Sequence, residues 1–386
     1  MTKRRVVITS IGMVTPVGDT AEQTFERLLA GQCGLIADPS GRTDRQVGVV
    51  NAPIHESIHP AQARMMDRVT LLAHYASQEV LRKANFTEEQ LAECGVFIGT
   101  GIGGVNTLCE AVEIFHTVIP KRPILVVPAV MANAAAAHIA QNMRSLAEAQ
   151  TYATACSSGA VAIGEAYRRI RDGYLDAALA GGVETPGDGQ IGGCRPFSHR
   201  RSGFALSEGA GLMMLESAEH AEARGATVIA ELCGYGTSND GTHPLRPDSR
   251  GQSLAMTRCL KDGGLNPNEV AYINAHATGT LVGDRIETEA IKKVFGDHAA
   301  TLAVSSTKGA LGHLIGAAGA VEAAVTALAV QSGHIPPTLY WEGGDEGCDL
   351  DYVPEGERTL PELRVAMSNS FGMGGNNAVL AFRRAA

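Results

Sequence analysis

The chain has 386 residues, 45% of them hydrophobic and 19% charged, which supplies a large core and excludes a disordered polymer. Its net charge of −9 argues against a nucleic-acid partner held by bulk positive charge, while leaving local basic patches open. The eight cysteines are scattered, with no CxxC pair and no repeated spacing, so they indicate neither a disulfide framework nor a zinc site and fit a reducing compartment, most of them as buried small hydrophobes.

Lys3-Arg4-Arg5 followed by Val6-Val7-Ile8 has the look of a signal sequence, but Thr9-Ser10, Gly12 and Pro16 break the run. A first strand is predicted there, over 5–10. Phe25, Leu28 and Leu29 share one face of a helix predicted over 20–30, and a second amphipathic helix is predicted over 69–83. Residues 96–99 read as a short buried strand. The longest apolar region, 124–140, carries Pro128, Asn133 and His138 and makes no membrane span, so a cytoplasmic protein is expected. Over 157–171, Ala160, Ile163, Tyr167 and Ile170 recur at helical spacing, and 177–181 reads as a strand.

After Glu219 the pattern restarts. Strands are predicted over 228–232, 270–274, 302–305, 364–368 and 378–382, and helices over 253–260, 286–294 and 319–331. This alternation predicts an α/β fold with covered sheets. Two halves of similar grammar, 1–227 and 228–386, suggest a duplicated unit with one continuous core, since no Pro-, Ser- or charge-rich linker divides them.

Chemistry concentrates in three segments. Cys156, in Thr154-Ala155-Cys156-Ser157-Ser158-Gly159, opens a helical stretch whose free N–H groups and dipole favour a thiolate, and the small residues after it leave space for an acyl group. His276, in Asn274-Ala275-His276-Ala277-Thr278-Gly279-Thr280, and His313, in Gly309-Ala310-Leu311-Gly312-His313, sit where side chains are stripped away, as a ligand pocket requires. Any one cysteine is by habit an inert core residue, and any one histidine a satisfied one. The shared setting of these three points instead to a thiol acyltransferase. Spacing alone does not bring the histidines together, and without an HExxH a metal is not indicated.

Taken in order, four motifs resemble the β-ketoacyl-ACP synthase family: Thr154-Ala-Cys-Ser-Ser-Gly159, Asn274-Ala-His-Ala-Thr-Gly-Thr280 with Gly283-Asp284, Ser306-Thr-Lys-Gly-Ala-Leu-Gly-His313 running into Gly316-Ala-Ala-Gly319, and Ser368-Asn-Ser-Phe-Gly372 with Gly374-Gly375. The resemblance spans nearly the whole chain from Arg4 and is strongest to the elongating enzymes of type II fatty acid synthesis and their polyketide relatives. It implies a thiolase-like, five-layered αβαβα fold of two duplicated halves, usually dimeric. It implies that Cys156 takes an acyl chain from an acyl carrier protein (ACP) as a thioester, and that His276 and His313 hold the carbonyl of malonyl-ACP as it loses CO2 and attacks. Lys308 would support the histidines and pair with the buried acid Glu322. Thr278 and Thr280 would contact the pantetheine arm, and the N–H groups of Cys156 and residue 373 would form the acyl oxyanion hole. No cofactor is implied, because phosphopantetheine arrives on the carrier protein.

The chain departs from that family in places. Met373 and Asn376 stand where relatives usually have Phe and Thr, beside Phe371, and a flexible Met implies looser gating of the acyl pocket. Leu125-Val126-Val127-Pro128 replaces aromatics that would close the pocket's far end across a dimer, and the stretch 193–204 looks short. Arg64, Lys121, Arg122, Arg195, Arg200 and Arg201 are candidates for docking an acidic carrier protein. The rival reading is the ketosynthase subunit of a type II polyketide or polyene system with a chain-length-factor partner. A non-catalytic partner subunit would lack Cys156, and a degradative thiolase would use a second cysteine in place of a histidine.

Overall fold

Strands buried on both faces read in a sequence as continuous apolar runs, and most strands here are of that kind. The computed structural model describes residues 3–38, 41, 45–117, 125–185 and 193–385. Its main sheet contains β1 (Val6–Val14), β2 (Gly95–Gly99), β3 (Ala149–Tyr152), β4 (Ala177–Glu184), β5 (Gly209–Ser217), β6 (Ala230–Asn239), β7 (Val270–Asn274), β8 (Ala303–Ser305), β9 (Val365–Gly372) and β10 (Asn376–Arg384). Their order is β8-β7-β9-β10-β6-β1-β5-β4-β2-β3.

The pairing of β1 with β6 is short, joining Val6, Val7 and Ile8 to Leu232, Glu231 and Ala230. On either side of it the same unit appears twice, as β3-β2-β4-β5-β1 and as β8-β7-β9-β10-β6. Each runs parallel, parallel, antiparallel, antiparallel from its outer edge. The chain is therefore a duplicated α/β fold.

The principal helices are α1 (Ala21–Leu29), α2 (Arg68–Ala84), α3 (Val105–Thr117), α4 (Ala134–Met143), α5 (Ser158–Arg171), α6 (Ser249–Gly263), α7 (Gly283–Phe295) and α8 (Ala318–Ser332). Helices α2 and α4 cover the first sheet, α6 and α7 cover the second, and α5 and α8 lie between the sheets, giving five layers. Separate apolar clusters fill the space around α5 and α8, beneath α2 and α4, and beneath α6 and α7. Residues 315–332 are apolar and long enough to cross a membrane, yet 78% of that stretch is buried inside the fold, so it is a core segment. A helix surrounded by protein is apolar all round for the same reason.

Two strands of the main sheet escape sequence reading. All nine residues of β5 are buried, but its start, Gly209-Ala210-Gly211, has the composition of a turn. The edge strand β3 is four residues long and mostly polar. Most of the cysteines are buried as expected, six of the eight, while Cys109 is exposed and Cys33 half-buried.

Candidate active site

Strand β3 runs into a tight elbow that presents Cys156. Ala155 has φ +54°, a conformation that costs a non-glycine residue energy, and it throws Cys156 out at the head of α5. The serines after it stitch this elbow: Ser157 Oγ donates to the Thr154 carbonyl at 2.8 Å, and Ser158 Oγ to that of Ala155 at 2.6 Å. The Thr154 N–H returns a 2.9 Å bond to Ser158 Oγ. These small residues thus also serve backbone packing. A Cβ on Gly159 would lie 2.8 Å from that of Ala320 in α8.

Gly372 ends β9 against the elbow; a Cβ there would lie 2.6 Å from the Thr154 oxygen and 3.2 Å from the Cys156 nitrogen. That close approach brings the Met373 N–H to the thiol. Burial raises the Cys156 pKa, and the Met373 N–H, the charge of Lys308 and the cysteine's own N–H oppose it without reversing it. The expectation of a resting thiolate is therefore overturned: desolvation outweighs the helix terminus, and the group rests as a thiol.

The two histidines do meet. Their rings stand edge to face with centroids 5.4 Å apart, and the Cys156 sulfur and one nitrogen from each ring lie within 4.8 Å of one another. Both pKa values fall well below 6.5, through burial first and the Lys308 charge second, with His313 adding to the effect on His276. Both are neutral imidazoles at neutral pH. His276 Nδ1 and both nitrogens of His313 have no hydrogen-bond partner among the described residues and are free for a ligand. The three donor atoms could together ligate a metal ion, but the Lys308 cation opposes one. Lys308 is fully buried and paired with Glu322 on α8, whose carboxyl burial pushes up to about 7 against the pull of Lys308.

Supporting carboxylates were not legible as such in the sequence. Glu287 on α7 accepts from the N–H groups of His276 (2.9 Å) and Ala277 (2.7 Å) and from Asn369 Nδ2 (3.0 Å). One turn earlier, Asp284 accepts from the N–H groups of Phe197 (2.7 Å), Gly279 (3.1 Å) and Thr280 (3.2 Å). The two acids three residues apart, just after a glycine-rich turn, are the signal that could have found them. Across the pocket, His313 is fixed through its N–H to the Ala205 carbonyl at 2.7 Å, and Phe204 meets its ring edge-on at 5.3 Å. Glu184 holds the Gly101 and Gly316 N–H groups beneath the elbow.

A cavity of about 310 Å³ opens onto Cys156, His276 and His313. Thr278, Thr280, Phe371 and Met373 line it, as does the 243–247 loop. Thr278 Oγ1 donates to Thr280 Oγ1 at 3.2 Å, and Met373 is 52% exposed at the cavity's edge. Of the basic candidates, Arg201 is buried, donating to the carbonyls of Thr280 and Leu281 and to Asp345, so it is a structural residue. Arg195 and Arg200 both pair with Glu342, Arg64 is exposed, and Lys121 and Arg122 lie outside the described residues.

Comparison with known proteins agrees with this geometry. Residues 3–221 match the model of the beta-ketoacyl synthase N-terminal domain, and residues 229–342 that of its C-terminal domain. The chain is 38% identical over 413 residues to 3-oxoacyl-[acyl-carrier-protein] synthase 2 of a Synechocystis species, covering 99% of this chain and 98% of that one. It is also 38% identical over 432 residues to the mitochondrial 3-oxoacyl-[acyl-carrier-protein] synthase of Arabidopsis thaliana, covering 98% and 93%. Among solved structures, the ishigamide ketosynthase/chain length factor superposes with a TM-score of 0.93 at 32% identity, each chain fully covered. The AntDE:AntF complex, a type II PKS acyl-carrier protein with its ketosynthase bound to the hexaketide, gives 0.89 at 27%, again with full coverage.

Proposed function

The chain belongs to the β-ketoacyl synthase family, and from that premise we propose that Cys156, His276 and His313 carry out a 3-oxoacyl-ACP synthase reaction. The observation that carries the assignment is the convergence of one thiol and two neutral imidazoles on a single cavity. In the first step the Cys156 sulfur displaces the carrier-protein thiol from an acyl thioester, and the thiol proton ends on the departing pantetheine. The N–H groups of Cys156 and Met373 hold the oxyanion of that transfer.

Malonyl-ACP then enters with its pantetheine along Thr278 and Thr280. The bond to its carboxylate breaks, CO2 leaves, and the electron pair remains as an enolate whose oxygen takes hydrogen bonds from His276 and His313. The enolate carbon attacks the Cys156 thioester, the C–S bond breaks, and the released thiolate takes up a proton. The product is a 3-oxoacyl chain, two carbons longer, on ACP. Imidazoles held neutral suit this role, because each keeps a donor N–H and neither needs to lose a proton. Phosphopantetheine is substrate-borne, no further cofactor is required, and a cytoplasmic setting fits the eight free thiols.

Acyl carrier protein is the partner in both steps. A homologous subunit is a second, since Leu108 and Val112 on α3 and Val127 on the contacting 126–130 helix leave apolar side chains exposed. The test is intact mass after incubation with a panel of acyl-ACPs, with the native mass of the same sample. Acylation of wild type and none in Cys156→Ala is the expected result. Acyl transfer that survives in Cys156→Ala would refute the nucleophile.

A second reading, the ketosynthase of a type II polyketide system acting with a chain-length factor, is favoured by the ishigamide and AntDE:AntF similarities and by Met373. Its mark in the same experiment is acylation only after a homologous subunit is added. Met373 in place of a flat aromatic is expected to admit a broader range of donors. Met373→Phe should therefore narrow the chain-length profile of competing acyl-ACPs, and an unchanged profile would remove Met373 from the gate.

A further inference from the structure

The wall of the catalytic cavity holds a buried side chain that the reaction described above does not use. Gln252 lies in the first turn of α6 and lines the cavity, although it is only 2% exposed. The buried face of that helix runs Gln252, Ala255, Met256 and Cys259, the spacing of a core stripe. Ala255, Met256 and Cys259 are apolar, as a core position demands, and Gln252 is a carboxamide. Its Oε1 atom is buried and has no hydrogen-bond partner among the described residues.

The backbone fixes the side chain there. Gly251 packs so closely that a Cβ on it would lie 2.1 Å from Asp240 Oδ1, and the Gln252 N–H donates to the Asp248 carbonyl at 3.2 Å. Other buried polar groups of the cavity wall are already matched. Glu287 is engaged with the His276 and Ala277 N–H groups and with Asn369. Asn377 Nδ2 donates to Asp240 Oδ1 at 2.7 Å, and Thr278 Oγ1 donates to Thr280 Oγ1. An amide oxygen buried without a partner is a standing cost to the folded chain, and a ligand that donates to it removes that cost.

The substrate brings such a donor. On the functional reading above, a pantetheine arm enters past Thr278 and Thr280 and carries its thioester to the catalytic trio. The arm has two secondary amides, the nearer one two carbons from the sulfur. A secondary amide N–H is the complement of a carboxamide oxygen. Depth decides between the two amides. Gln252 is buried like Cys156, His313 and Phe371, whereas Leu245, 69% exposed, and Leu281, 61% exposed, mark the cavity's rim. We propose that Gln252 Oε1 accepts the N–H of the pantetheine amide nearest the sulfur. Gln252 is then a substrate-binding residue that sets how far the arm enters, and with it the place of the malonyl carbonyl against His276 and His313. It also selects an amide-bearing arm over a thioester of similar length that lacks the N–H.

The test is CO2 release from malonyl-ACP carrying either the natural arm or an analogue with the nearer amide replaced by an ester. The ester keeps the carbonyl and loses the N–H. Wild type should favour the natural arm at least about tenfold in kcat/KM, because the ester strands the buried oxygen. In Gln252→Met, of similar length without the amide, that ratio should fall toward one. Gln252→Ala, which introduces no new bulk, should show the same fall. A ratio near one in wild type, or the wild-type ratio kept in both variants, would overturn the contact. Absence of CO2 release from natural malonyl-ACP in wild type would instead overturn the functional reading on which the contact rests.

Discussion

Cys156→Ala is expected to reduce formation of the 3-oxoacyl product by roughly 10⁴-fold or more, the scale on which enzymes lose activity with their nucleophile, while CO2 release from malonyl-ACP continues. The two events part because the enolate needs the histidines and only the acyl chain needs the sulfur. His276→Ala or His313→Ala should show the mirror image. Acylation of Cys156 should persist, and decarboxylation should fall by about 10²–10³-fold, the usual cost of one oxyanion donor. Both imidazoles rest well below the ordinary histidine value of 6.5, so CO2 release by Cys156→Ala should stay flat as pH falls through that value. A profile that drops near 6.5 would contradict neutral, donor imidazoles. Loss of CO2 release in Cys156→Ala, in a protein that still folds, would mean that the sulfur takes part in decarboxylation.

Removal of Lys308 is expected to be nearly as severe, by a different route. Lys308 and Glu322 are both fully buried, and breaking a buried pair by deleting one partner typically costs about 3–5 kcal/mol because the other charge is stranded. Lys308→Met should therefore unfold at markedly lower denaturant than wild type. A double variant, Lys308→Met with Glu322→Leu, should recover much of that stability, since no uncompensated charge remains. Activity should not return with it. The Lys308 cation helps to hold both histidine pKa values down, so its loss raises them. An acid limb absent from the Cys156→Ala profile should then rise toward neutral pH when Lys308→Met is added. Recovery of wild-type condensation in the stable double variant would show Lys308 to be structural only.

How much of this was legible beforehand differs from element to element. The helix ending at Arg171, strand β7 and the apolar α8 were readable because periodicity and burial there agree. Strand β5 was not, since Gly209-Ala210-Gly211 belongs to a strand only when neighbours bury it on both sides. The Lys308–Glu322 pair was implied by the family resemblance, and the apolar surroundings of both charges agreed with it. Glu287 was missed because a glutamate early in a helix is ordinarily a solvated residue answering the dipole; here a strand end turns two backbone N–H groups toward it.

By itself the sequence pointed to a thiol acyltransferase, and the resemblance of its four ordered motifs to the β-ketoacyl-ACP synthase family implied the reaction class. The alternation of strands and helices likewise determined a duplicated α/β fold. Tertiary structure alone decided how these groups behave. Residues 120 and 157 positions apart in the chain come within 4.8 Å, and a pocket dry enough to do that raises the thiol pKa and lowers the imidazole ones, reversing the thiolate expected from the helix terminus. The physical reason is that helix propensity and dipole are local and readable along the chain, whereas desolvation and Coulombic coupling depend on what the rest of the fold stacks around a group, which no single segment records.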